Sequence, residues 1–271
     1  MILLDGKKLQ IQLMQELKER VSQMQKVPSM VIIQVGDNPA SNTYIKGKIK
    51  FGKNIGVVVQ HHKFENDISE EALLNLIDFC NKDDSIGGVV VQLPLPQNLD
   101  KMKLLNSILP EKDIDGLGVI NNGKLIKDDP TAKLPATPKG VITLLENYGI
   151  ELECKNAVVI GRSQLVGLPL SVLLTKKNAT VTIAHSHTID LQKKCLDADI
   201  ILSACGCPLK INKNFVKPGA IVVDVGITGV DGKIVGDVDF EDVKDIVYAV
   251  SPVPGGVGPM TILSLFQNLL S

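Results

Sequence analysis

A chain of 271 residues has the length of two ordinary domains, and 44% apolar against 22% charged side chains gives it enough core material to exclude disorder. Lys and Arg total 29 against 30 Asp and Glu, a formal charge of −1, which leaves no electrostatic footprint for nucleic acid or a membrane surface. Aromatics make up only 3%, with no Trp, so a stacked-ring platform for single strands is excluded as well.

Leu9, Leu13, Leu17, Val21 and Met24 recur at helical spacing and predict an amphipathic first helix. Residues 30–36 predict a β-branched strand that stops at a Gly-Asp-Asn-Pro loop. Ser41 is expected to cap a second helix, ending near Gly56. A strand follows over 57–64, then a helix over 69–83 with Ser69 as N-cap and acids in its first turn. Residues 87–96 form a wholly apolar strand closed by prolines. Apolar strands alternating with helices imply an α/β protein whose parallel sheet is covered on both faces.

Residues 108–138 are proline-rich and weakly periodic, and read as the connection between two domains. Thr137-Pro138 then opens a helix. Strands are expected over 156–161, 180–185, 199–205 and 220–226, with a helix around 168–178 and a last one over 259–271. Five cysteines without framework spacing read as reduced thiols of a cytoplasmic protein. Cys205 and Cys207 form a C-x-C pair, but no second pair stands at zinc-site spacing, so no metal is expected. The first residues turn polar after four positions, unlike a secretory signal, and no apolar run approaches the roughly 20 residues of a membrane span.

Three features carry chemistry. The segment 161–167, Gly-Arg-Ser-Gln-Leu-Val-Gly, lies between a strand and a helix, where backbone N–H groups can approach a pyrophosphate. Its spacing departs from G-x-G-x-x-G, and a tight turn in an ordinary α/β domain is the alternative. Arg162, one of only two arginines, suits a phosphate. The strand over 180–185 ends at His185-Ser186-His187 without the acid that holds ribose hydroxyls, so Ser186 and Arg162 favour NADP over NAD. The two histidines read as lining the adenosine site or solvent, with a metal or catalytic pair as the alternative. Secondly, Tyr44 and Lys48 share one helical face, so that a phenol bonded to the amine could hold it partly neutral for proton transfer. The alternative is a solvated lysine-rich helix. Thirdly, loops at 91–96, 111–118 and 251–259 offer Gln92 and Asp115 to a flat heterocycle, while Gly255 and Gly256 permit close backbone approach.

Taken together, Tyr44-x-x-x-Lys48, VQLPLP, EKDIDG, PATPKG, GRSQLVGLP, TVTIAHSHT, KPGAIVVDVG, GDVDF and PVPGGVGPMT resemble the bifunctional methylenetetrahydrofolate dehydrogenase/cyclohydrolase family. The resemblance implies two α/β domains around a cleft: a folate-binding catalytic domain over 1–120 and a Rossmann-type NADP domain over 138–258. The helix 259–271 would return to complete the first. Lys48 would be the proton-transfer residue, with Tyr44 packing on the pterin and Gln92 orienting the lysine. Asp115 would bind the pterin edge, with Pro254 and Gly255 beside the substrate. Gly161, Arg162, Ser163, Ser186 and Ile227 would hold NADP. Tetrahydrofolate derivatives as ligands, a homodimer, and a role in tetrahydrofolate interconversion and purine biosynthesis are implied too. Two departures stand out: Ala136 replaces the family's common cysteine, and His187 replaces the basic residue often found after Ser186. From the residues alone, another Rossmann dehydrogenase or a dinucleotide-binding regulatory module are the competing readings.

Overall fold

Short β-branched runs bounded by Gly, Pro and Asp set the strands of this chain, and the amphipathic stretches between them set its helices. The structure, a computed structural model, describes residues 1–230 and 233–271. In chain order the first elements are β1 (Ile2–Leu3), α1 (Gly6–Ser22), β2 (Ser29–Val35), α2 (Pro39–Ile55), β3 (Val59–Phe64), α3 (Glu70–Lys82) and β4 (Ile86–Val91). They continue with α4 (Lys101–Asn106), α5 (Val119–Ile126), α6 (Ala136–Asn147), β5 (Asn156–Ile160), α7 (Gly167–Lys176) and β6 (Thr180–Ala184). The remainder are α8 (Leu191–Leu196), β7 (Ile200–Ser203), β8 (Ile221–Asp224), β9 (Thr228–Val230), β10 (Lys233–Val235), α9 (Phe240–Val243), β11 (Ala249–Val250) and α10 (Val257–Leu269). Among the described residues no helix is long and apolar enough to cross a membrane.

The chain divides into two compact units, residues 1–11 with 137–261 and residues 12–136 with 262–271. These limits differ from those expected. Residues 1–11 join the later unit because β1 pairs in parallel with β11, Ile2 opposite Ala249. Residues 121–136 belong to the earlier unit rather than to a linker, since α5 lies within the stretch read as a connection. The last helix is itself shared, because the division falls after Thr261.

In the unit of 12–136 and 262–271 the sheet has the order β3-β2-β4, parallel throughout. Its central strand is buried from Met30 to Val35, as a strand covered on both faces must be. β4 stops at Val91 rather than running to 96, because Pro94 and Pro96 have no N–H to continue the ladder. Ser69 caps α3 by accepting from Ala72 N, and Gly56 ends α2 in the left-handed region at φ +87°, both as expected. The cap of α2 is Asn38, not Ser41: its side chain accepts from Ser41 N at 3.1 Å, with Pro39 in the first turn. Ser41 is instead buried, and its Oγ donates to Leu93 O at 3.1 Å.

In the unit of 1–11 and 137–261 a six-stranded sheet has the order β1-β11-β8-β7-β5-β6, every neighbouring pair parallel. β5 sits between β6 and β7, so the winding reverses there. Loops at the carboxyl ends of these strands flank the crevice where open α/β sheets bind ligands. Val158, Ile160, Ile201, Val222 and Val250 fill the core beneath.

Phe266 of α10 is fully buried with its ring 4.9 Å from that of Phe51 on α2. Phe266→Ala should destabilise the folded protein by about 3–5 kcal/mol, seen as a lower urea midpoint; an unchanged midpoint would contradict this packing.

Candidate active site

The buried face of α2 carries Ser41, Ile45, Lys48, Phe51 and Ile55, so the helix places one lysine on its apolar side. Lys48 is only 5% exposed. Its Nζ donates to Gln92 Oε1 at 2.9 Å. Gln92 directly follows β4 and is pinned twice, its backbone N donating to Ile33 O and its Nε2 to Leu93 O, which leaves Oε1 for the lysine. Tyr44 lies one turn earlier, half-buried, and burial pushes its phenol up. The expected phenol–amine hydrogen bond is not formed among the described residues. The amine is drawn instead to the amide oxygen at the strand end.

Burial pushes the Lys48 amine below the usual lysine value, and the charge of Asp115 opposes that shift. Asp115 is pushed up by burial and drawn down by Lys48. A desolvated amine facing a carboxylate can exist in either protonation state, as proton transfer requires.

Asp115 is aimed by a neighbour that motif reading passed over. Asp113, 2% exposed, accepts from Leu117 N, Gly118 N and Asn121 Nδ2 at 2.9–3.2 Å. Those bonds curl the loop that carries Asp115. Gly116 makes the turn at φ +68°, where a Cβ would lie 2.5 Å from Lys133 O. From α10, Asn268 Nδ2 donates to Ile114 O and Leu134 O, both at 2.8 Å, and Ala136 N donates to Asp115 O at 3.1 Å. The D-x-D-G pattern was visible in sequence, but not which acid is buried. Ala136, where the family commonly has cysteine, is fully buried at the start of α6.

The other unit carries the remaining site residues. After β5 the chain passes Gly161 at φ +127°, where a Cβ would stand 2.4 Å from Ala204 O. At Gly167 it would stand 2.1 Å from Gly161 O. Only glycine lets strand, loop and helix close up this far, the geometry that admits a pyrophosphate to backbone N–H groups. Between them Ser163 Oγ accepts from Val166 N at 3.2 Å and Gly167 N at 3.4 Å, which folds the turn onto the start of α7. Arg162 is exposed beside this turn. After β6, Ser186 is exposed in a turn in which Thr188 Oγ1 accepts from His185 N and His185 Nδ1 accepts from His187 N. His185 is lowered by burial and by the nearby Arg162 charge, which puts the two strand-end loops side by side. These residues fit a phosphorylated dinucleotide. Ile227 follows β8, 39% exposed. Pro254 and Gly255 also belong here: Gly255 has φ +112°, and its carbonyl accepts from Lys7 N at 2.8 Å. Among the described residues, no three His, Cys, Asp or Glu side chains converge as metal ligands.

Residues 4–115 match the model of the tetrahydrofolate dehydrogenase/cyclohydrolase catalytic domain, and residues 135–271 match that of its NAD(P)-binding domain. The chain belongs to the tetrahydrofolate dehydrogenase/cyclohydrolase family. It is 47% identical to the bifunctional protein FolD of Francisella philomiragia, over 99% of this chain and 96% of that protein. The bifunctional FolD methylenetetrahydrofolate dehydrogenase/cyclohydrolase structure from Campylobacter jejuni superposes with a TM-score of 0.97 at 44% identity, covering 100% of this chain and 97% of that one. A Trypanosoma brucei methylenetetrahydrofolate dehydrogenase-cyclohydrolase, complexed with NADP cofactor and inhibitor, superposes at 0.94 with 34% identity over 99% and 96%. The two family domains meet this chain on the two sets of residues described above, Lys48, Gln92 and Asp115 in one and the Gly161–Gly167 turn in the other.

In this family member burial lowers the Lys48 amine and the Asp115 charge opposes that shift. Asp115→Asn should therefore lower the Lys48 pKa further, read by NMR titration of lysine labelled at Cε and Nζ. An unmoved lysine titration would remove Asp115 from the electrostatics of the site.

Proposed function

We propose that this protein oxidises 5,10-methylene-tetrahydrofolate to 5,10-methenyl-tetrahydrofolate with NADP, then hydrolyses that product to 10-formyl-tetrahydrofolate. The observation that carries the reading is a buried lysine held by an amide oxygen and balanced by a carboxylate, in a chain whose other unit has a glycine-built dinucleotide turn.

Gly161, Ser163 and Ile227 hold the dinucleotide, while Arg162 and Ser186 meet the 2′-phosphate. NADP supplies a hydride acceptor at its nicotinamide ring. The folate nitrogens themselves stabilise the cation left by hydride loss, so the protein's task there is orientation and exclusion of water. Tyr44 packs on the pterin, Asp115 binds its polar edge, and Pro254 and Gly255 lie beside the substrate.

Hydrolysis needs more from the protein. Neutral Lys48 takes a proton from a water molecule as its oxygen bonds to the methenyl carbon. The bond from that carbon to N5 breaks, and N5 leaves carrying a proton. The formyl group stays on N10 and one proton passes to solvent. Gln92 keeps the amine aimed through this sequence by accepting one of its hydrogens at 2.9 Å. The same reading takes the protein as a cytoplasmic homodimer in tetrahydrofolate interconversion and purine biosynthesis, and its five unpaired cysteines support that compartment.

Incubation with methylene-tetrahydrofolate and NADP should yield NADPH, methenyl and then formyl products; no NADPH would overturn the proposal. Lys48→Met should cut cyclohydrolase activity by about 10²-fold or more while leaving measurable dehydrogenase activity. Equal retention of both activities would take Lys48 out of the mechanism. In the parent chain, hydrolysis should rise with pH through the lowered Lys48 pKa, the sign required of an amine that acts when neutral.

A further inference from the structure

Two buried aspartates outside the residues assigned so far join the loops at the carboxyl ends of β7, β8 and β11. Asp224 closes β8 at 2% exposure. Its Oδ1 accepts from Gly226 N at 2.9 Å and Asp237 N at 3.0 Å, and its Oδ2 from Val238 N at 2.8 Å. Its own N donates to Ser251 Oγ at 2.8 Å, at the end of β11 where the loop to Pro254 and Gly255 begins. Asp237 is wholly buried, and its Oδ2 accepts from Ser203 Oγ, Cys205 N and Gly206 N at 3.0, 2.8 and 3.2 Å.

The surrounding chain is shaped to admit both carboxylates. A Cβ on Gly226 would lie 2.2 Å from Asp237 Cγ, and one on Gly236 would lie 2.0 Å from Asp224 Oδ2. The loop that Asp237 holds is the one whose Ala204 carbonyl lies against Gly161. Asp237 therefore sets the wall of the phosphate turn, and Asp224 sets the turn into Ile227. Yet Asp237 Oδ1 is buried with no hydrogen-bond partner among the described residues. Burying an acceptor unpaired works against stability, and such violations gather where function rather than folding fixes the residue.

We infer that Asp237 is a positioning residue for the dinucleotide: it fixes loop 203–206 against the Gly161 turn, and Asp224 extends that constraint to Ile227. The inference rests on the proposed function, in which this unit holds NADP. It assigns Asp237 no contact with the cofactor.

The test titrates NADP into full-length parent, Asp237→Ala, Asp237→Asn and Ser203→Ala by calorimetry. Oxidation of methylene-tetrahydrofolate and hydrolysis of separately supplied methenyl-tetrahydrofolate are measured alongside. Asp237→Ala should raise the NADP Kd and KM about tenfold or more, the loss expected when donors to a carboxylate are left unpaired. Hydrolysis, whose lysine stands in the other unit, should stay within about twofold, a split that general destabilisation would not give. Asp237→Asn keeps one oxygen for the three donors and should restore most of the binding. Parent-like NADP binding by Asp237→Ala overturns the inference. If that variant does not fold, Ser203→Ala decides: it removes one donor and should weaken binding about fivefold, and an unchanged Kd overturns the inference equally. Absence of NADP binding by the parent chain would instead overturn the proposed function, and this inference with it.

Discussion

An amine cannot leave water without an acceptor, and Lys48 has left it almost completely. That constraint organises the unit around it. β4 must end where Gln92 can turn its oxygen toward α2, and the two prolines that follow ensure that it does. The first turn of α2 is fixed from outside the helix as well: Asn38 caps it, and Ser41 ties it to the Leu93 carbonyl beside Gln92. A carboxylate opposes the loss of the amine's charge on burial. It is delivered by a loop whose shape depends on another buried acid, Asp113. Each step moves the cost of a desolvated polar group to a neighbour that can bear it, until the last partner is backbone.

The dinucleotide unit solves a different problem with the same means. Parallel strands end with their carbonyls and loops on one edge, and those loops must approach one another closely without side chains colliding. Glycine supplies the room at 161, 167, 226 and 236, and aspartate supplies the fastening at 224 and 237. Room and fastening are complementary, since each glycine at 226 and 236 exists to clear one of the carboxylates. A substitution at either member of such a pair acts on the other.

Much of the fold was legible because its signals are local. The Ser69 cap, the Gly56 stop and the apolar strands each declare themselves within a few residues. Asn38 and Ser41 are both good caps, and Pro39 in the first turn is what favours the former. The helix α5 was hidden for a sharper reason. Val119, Ile120 and Ile126 are exposed, while Asn121 is buried beside Leu125 and donates to Pro110 O and Asp113. A helix that exposes three of its four large apolar residues and buries a polar one cannot be found by periodicity. The site divides likewise. Tyr44 and Lys48 announced themselves by spacing, but the amine's partner lies 44 residues away in a strand-end amide. Asp113, Asp224 and Asp237 look in sequence like surface acids, and only their burial distinguishes them.

Residues 262–271 pack with 12–136, where Phe266 meets Phe51 and Asn268 grips the carbonyls of Ile114 and Leu134. A ribosome makes these partners far apart in time. Between them come the 125 residues 137–261, which take roughly 6–25 s to synthesise at ordinary translation rates. For that interval α2 waits without Phe266, β4 waits without Leu269, and the Asp115 loop waits without its clamp. The nucleotide unit has a delay of its own, since Ile2 and Leu3 of β1 wait for Ala249 and Val250 of β11, but the rest of it is continuous. The unit that holds Lys48, Gln92 and Asp115 is thus completed only by residues 262–271, the last to leave the ribosome.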